Sequence, residues 1–231
     1  MSTVYSEEFY HFVGRKTPND HDKNLSTLRL ILGSGYVHGG GPHHRITSSL
    51  RETLTTGMVV PDIACFCDIP FSGLGVHVAK YGKFGLSFDR HWLVYQGARP
   101  VMYFPYRSDD AGSVFGQGLL QDIEVTYRAL HNFFPPSEHE RRSMGVPAKD
   151  PESAARAMRT VALKDFLAFI KPYDSEKATD AGEYFYAERE WRAMGHVRFK
   201  PGDVQTVVVA RGYRARLAAE WPQYADRIRE I

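Results

Sequence analysis

The 231-residue chain has only two cysteines, Cys65 and Cys67, one residue apart. They are too few for a disulfide framework and too close for an ordinary structural bridge, so a disulfide-stapled scaffold is excluded. Long hydrophobic runs are also missing: none reaches the roughly 18–20 apolar residues that cross a bilayer. The opening MSTVYSEEFYHF carries acids and lacks the basic-then-apolar order of a secretory signal. Charge of one sign is scarce as well. Twenty-nine Lys and Arg face 27 Asp and Glu, for a net charge of +2, short of the segregated excess of a dedicated nucleic-acid binder. Phosphate loops are absent: Gly33-Ser-Gly35 would need glycine at position 38, where His38 stands, and no Walker pattern occurs. A Gly-x-Ser-x-Gly nucleophile elbow is absent too. These absences leave a soluble, cytoplasmic protein without a membrane segment as the expectation.

What is present is an ordinary globular composition, 43% hydrophobic and 24% charged. Residues 8–13 are aromatic and β-branched, then stopped by Gly14, which predicts a first strand. Leu25, Leu28 and Leu32 recur on one helical face, with Asn24 as N-cap and Gly33 and Gly35 at the end. A glycine- and histidine-rich loop at 39–44 leads to a helical segment near 47–54. Extended segments are expected at 58–67, 84–88 and 101–104. The middle is helical: Leu119, Ile123, Tyr127, Leu130 and Phe134 form an amphipathic stripe, and a second helix runs from Pro151 to about 167. Extended segments return at 183–192 and 204–210, before a last helix over about 214–228, broken at Pro222. Strands at both ends around central helices predict one α+β domain over residues 1–231, with a helical insertion at about 113–168.

Cys65-x-Cys67 lacks the Cys-x-x-Cys spacing of a zinc knuckle, and His38, His43 and His44 lie in the glycine loop, so no metal site is expected. Three local segments are more specific: YHFVG at 10–14, YGKFGLSF at 81–88 and EREWR at 188–192, with CFCDIPF at 65–71 between the first two. With these signatures the chain resembles the AbiGi family of bacterial abortive-infection proteins, phage-defence proteins linked to toxin–antitoxin modules. More remotely, the same order is similar to ADP-ribosyltransferases, including DarT-like toxins that modify DNA. In them a His- or Arg-bearing strand is followed by a helix, then a Tyr- or Ser-bearing strand and a late catalytic Glu.

That second resemblance implies an ADP-ribosyltransferase-like split, mixed β-sheet core with flanking helices, and NAD as the substrate. Cleaving the nicotinamide–ribose bond builds an oxocarbenium-like cation, which a carboxylate stabilises. Glu190 is the candidate for that carboxylate. Glu188, two residues earlier and on the same face if the segment is a strand, would orient the acceptor. Tyr81 would stack on nicotinamide, His11 would hydrogen-bond a ribose hydroxyl, and Ser87 would support the Glu. His11, Tyr81 and Glu190 are thereby expected to converge on one cleft.

Each residue also has a purely structural explanation. His11 fits a satisfied strand histidine, Tyr81 a core ring closing a helix, and the 188–192 charges a cross-strand ladder with Trp191 on the core side. The leading expectation is an ADP-ribosyltransferase-like toxin or effector of phage defence acting on a nucleic-acid or protein acceptor. The alternative is a non-catalytic antitoxin or regulatory binding protein with a cognate partner in a toxin–antitoxin module. A third class is a nucleic-acid binder using basic loops such as Arg141-Arg142 and residues 211–216.

Overall fold

The structure, a computed structural model, describes residues 6–38, 63–106, 125, 169–174 and 185–231. The helices expected at 47–54, 119–134 (Val125 apart) and 151–167, the loop at 39–44, residues 58–62 and Arg141-Arg142 lie outside the described residues. The chain divides into two compact units. One is assembled from Met1–Gly40, Asp62–Val101 and Ala178–Ile231, the other from Gly41–Pro61 and Met102–Lys177.

In chain order the first unit contains β1 (Glu8–Phe12), α1 (His21–Ser34), β2 (Tyr36–Val37), β3 (Ile63–Cys67), α2 (Gly75–Tyr81), β4 (Gly85–Asp89), α3 (Arg90–Tyr95) and β5 (Arg99–Pro100). The second unit supplies β6 (Met102–Tyr106) and β7 (Ile170–Asp174), a parallel pair. The first unit resumes with β8 (Glu190–Met194), β9 (Val197–Arg198), β10 (Val204–Val209), α4 (Arg214–Glu220) and β11 (Ile228–Glu230). Its main sheet has seven strands in the order β11-β10-β4-β1-β3-β8-β5. The β10–β11 pair is parallel and the remaining pairs are antiparallel. The fold is therefore α+β with a large mixed sheet, as the strand and helix pattern predicts.

Alternation on the strands gives the sheet two buried faces. On one face Phe9, Phe66, Leu86, Phe88, Val207 and Val209 pack with Leu25 and Leu28 of α1, Leu93 of α3 and Leu217 of α4. On the other, Tyr10, Phe12, Cys67 and Val208 meet Val78 of α2 and the adjoining Leu74. Each such side chain contributes about 1.5–3 kcal/mol on leaving water.

Helix α1 starts four residues earlier than its leucine stripe predicts. Asp20 is the N-cap, accepting from the Lys23 amide at 3.0 Å. Asn24 is instead buried and donates its side-chain amide to the Thr17 carbonyl at 2.9 Å. At the C-terminus the expected helix to 228 stops at Glu220. Pro222, which has no amide to donate, opens a 3-10 segment to Arg227, and residues 228–230 become a strand, with Ile228 buried.

Candidate functional site

The cluster of interest lies on the α2 face of the sheet. Tyr10 is directly opposite Cys67, and Cys67 is directly opposite Glu190, so all three side chains share that face. Arg192, two residues along β8, shares it too. Its guanidinium holds the Glu190 carboxylate bidentately, at 2.8 Å from Nε and 3.2 Å from Nη2. Both residues are buried, 8% and 4% exposed. Desolvating two charges is tolerable here because each faces its counter-charge in fork geometry.

Glu188 is engaged in a different way. It ends a 3-10 segment, Phe185–Glu188, and is itself buried. Lys80 forms an ion pair with its Oε1, and the Tyr81 hydroxyl donates to the same oxygen at 2.5 Å. Burial, followed by the charge of Glu188, pushes the Tyr81 phenol far above its ordinary range, so Tyr81 stays a donor. Tyr81 is the last residue of α2, and His77 one turn earlier stacks on its ring at 4.4 Å. The helix end is fixed from outside by the Gly14 amide, which donates to the Tyr81 carbonyl at 2.7 Å. A Cβ at Gly14 would lie 2.6 Å from that carbonyl oxygen; only glycine permits the approach.

Between the two acids the chain does not run as a strand. Arg189 adopts φ +44°, the only non-glycine residue at positive φ among those described, so Glu188 lies on the 3-10 turn and β8 begins at Glu190. The expectation that the two acids project from one strand is corrected accordingly. The physical cause is Asp68. Its amide donates to the Arg189 carbonyl at 3.0 Å, and its carboxylate accepts from the Arg189 guanidinium at 3.2 Å. The same buried carboxylate accepts from the Ser6 amide at 3.0 Å and from Arg90 at 3.1 Å. Asp68 thus ties the start of the described chain, the start of α3 and the acid turn together.

The other sequence-predicted residues are placed apart. His11 follows Tyr10 on β1 and so points to the opposite face, where its ring lies 5.7 Å from Phe66. Its Nδ1–H donates to the Cys65 carbonyl at 2.8 Å, because a carbonyl can only accept, and burial lowers its pKa. Ser87 is opposite Tyr10, three strands from Glu190 or about 14 Å across the sheet. Its hydroxyl donates to Glu8 at 2.5 Å and accepts from the Thr206 amide at 2.9 Å. It supports a glutamate, but not Glu190. The expected convergence of His11, Tyr81 and Glu190 is therefore corrected: Tyr81 and the two acids share a neighbourhood, and His11 is on the far face.

Cys65 is exposed, Cys67 is buried with its thiol pKa pushed up by desolvation, and the two are not joined in a disulfide. Among the described residues no three His, Cys, Asp or Glu side chains are arranged to hold a metal ion. No described helix is long and apolar enough to cross a membrane. Sequence reasoning missed Lys80, Arg90 and Asp68. Lys80 was legible as the neighbour of Tyr81 at a helix end, whereas Asp68, Arg90 and Arg189 meet only through the fold.

These observations define an α+β protein whose sheet carries a buried, ion-paired polar cluster on one face. The model of the family described as "Putative abortive phage resistance protein AbiGi, antitoxin" matches residues 46–215, and the chain belongs to that family. No curated protein and no solved structure matches. The family description corrects the toxin expectation: an antitoxin, not an ADP-ribosyltransferase effector, is what it names, and no DarT-like protein is among the matches.

Proposed function

We propose that the protein is a non-catalytic antitoxin or regulatory binding protein of an abortive-infection toxin–antitoxin module, acting on a cognate toxin by binding rather than by turnover. Besides family membership, one observation carries the reading: Glu190 is buried in a bidentate pair with Arg192. A carboxylate stabilises a developing cation only to the extent that its own charge is not already balanced. The guanidinium balances it. Glu188 is likewise held by Lys80 and Tyr81. On this reading Glu188, Glu190, Tyr81 and Ser87 shape and rigidify a binding protein, and His11 closes the far face of its sheet. The mixed sheet, continuous over seven strands rather than split as the ADP-ribosyltransferase resemblance implies, serves as a scaffold without the reaction.

The test is co-expression with the toxin of the same module. Growth arrested by the toxin should be restored by this chain, and restored equally by Glu190→Gln at matched levels of folded protein, while the chain alone should be harmless. Toxicity of the chain alone that vanishes in Glu190→Gln would show the reading to be wrong, as would nicotinamide release from NAD by the purified protein.

A further inference from the structure

Five cations that are scattered in the sequence, Arg15, Lys16, Lys83, Arg211 and Arg214, are gathered by the fold at one end of the seven-stranded sheet. Gly85 of β4 is opposite Phe12 at the end of β1 and opposite Val208 near the end of β10. Both neighbours therefore finish where β4 begins. The Val13 amide donates to the Phe84 carbonyl at 3.1 Å, so the turn carrying Arg15 and Lys16 emerges beside Lys83. On the other side of β4, the chain leaving β10 turns at Gly212 and starts α4. There Tyr213 packs edge-on to Phe84 at 5.2 Å and to His21 at 5.8 Å, which brings Arg211 and Arg214 to the same end. Three neighbouring strands span about 10 Å, before the reach of the side chains is added.

All five are exposed, and none forms an ion pair among the described residues. The carboxylates nearest these cations each have a partner of their own, Glu230 at the very turn that carries Arg211 and Arg214. Asp20 caps α1, Asp22 lies 3.9 Å from Arg216, and Glu230 accepts from the amides of Gly212 and Arg214 at 2.8 and 3.2 Å. We propose that this end of the sheet binds the phosphate backbone of a nucleic acid. A protein partner fits less well. The exposed large apolar side chains among the described residues, such as Leu30, Val94 and Tyr95, lie on other segments, and a protein interface depends on apolar and aromatic anchors at its centre. A row of cations without such anchors suits a partner that is anionic along its whole length. Contacts of this kind fix position without reading sequence.

The inference goes beyond the antitoxin reading and is independent of it, because its test needs no toxin. Fluorescence anisotropy of the full chain would be followed with a labelled 20-base-pair DNA duplex of arbitrary sequence and, separately, a single-stranded RNA. Salt would be varied between 50 and 200 mM. Binding should fall steeply with salt, with a log–log slope of about −0.9 per phosphate neutralised on the duplex. The triple variant Lys83→Ala/Arg211→Ala/Arg214→Ala should bind at least about tenfold more weakly, with the slope reduced by about one for each cation removed. Arg211→Ala alone should reduce it by about one, so a triple variant that fails to fold does not spare the proposal. Whichever probe binds more tightly identifies duplex DNA or single-stranded RNA as the preferred source of the phosphates. No binding of either probe at 50 mM salt, or unchanged affinity and slope in the variants, overturns the proposal.

Discussion

Glu190 and Arg192 illustrate how much a single buried pair demands of its two members. With side chains 9% and 4% exposed, neither can be rehydrated if its partner is removed. Arg192→Met should therefore cost about 3–5 kcal/mol, the price of an uncompensated buried carboxylate, whereas Glu190→Leu/Arg192→Met together should recover most of that loss. Urea unfolding of the four members of the cycle, followed by tryptophan fluorescence, measures it. Trp92, Trp191 and Trp221 all belong to the sheet unit, so the signal reports that unit. Two equal and additive single effects would show that the charges do not depend on one another. His11 gives a second prediction at this scale. Its pKa is lowered in the folded protein, chiefly by burial, so it is neutral there and gains a proton more readily when unfolded. The stability it contributes is fully present above the ordinary histidine pKa and is lost as pH falls through the depressed value. The urea midpoint should drop between pH 7.5 and pH 5, and His11→Gln should flatten that dependence. An equally steep profile in the variant would assign the effect to other groups.

Elements obey local rules until a tertiary contact outweighs them, and the segment from Glu188 to Glu190 is the clearest case. Alternating Glu, Arg, Glu, Trp and Arg reads as a strand, yet Arg189 sits at φ +44°, held there by the amide and carboxylate of Asp68. A non-glycine residue in that region carries roughly 1–2 kcal/mol of strain. Arg189→Gly and Arg189→Ala both lose the ion pair, but the glycine variant should be more stable than the alanine variant by about 1 kcal/mol or more. Alanine equal to or better than glycine would show that the backbone is not strained there. Strand β4 offers a sharper test, because a Cβ at Gly85 would lie 2.3 Å from the His11 carbonyl oxygen and 2.9 Å from the Phe12 ring. Gly85→Ala should force β1 away from β4 and destabilise the sheet unit by about 3 kcal/mol. The reading out is a lower urea midpoint with the slope unchanged; an unaltered midpoint would contradict the packing. Strands such as Glu8–Phe12 and Val204–Val209 were legible because alternation and β-branching act locally. Helices α2 and α3 were not, since six or seven residues carry too little periodicity and their anchors, Val78 and Leu93, are defined by what they pack against.

At the scale of the whole molecule, the antitoxin reading and the phosphate-binding surface both depend on how distant segments are brought together. If binding rather than turnover is the function, neutralisation of the toxin should track the amount of folded protein. Gly85→Ala should then weaken rescue of growth in proportion to its loss of stability, while Glu190→Gln at wild-type abundance leaves rescue intact; a folded, abundant Glu190→Gln protein unable to rescue would assign that carboxylate a direct task. By itself, the sequence determined the α+β class, the first and last long strands, the leucine face of α1 and Trp191 on the core side of β8, because period and side-chain volume are properties of neighbouring residues. The family signatures were legible for the same reason, being short and contiguous. Only the tertiary structure decided that Asp68 meets Arg90 and Arg189, that His11 and Glu190 face opposite sides of the sheet, and that the chain entering β4 after Lys83 and the chain leaving β10 before Arg211 come to the same end of the sheet. Those relations follow from strand order and register, which are fixed by burial and hydrogen bonding between segments up to about two hundred residues apart, and no local pattern encodes them.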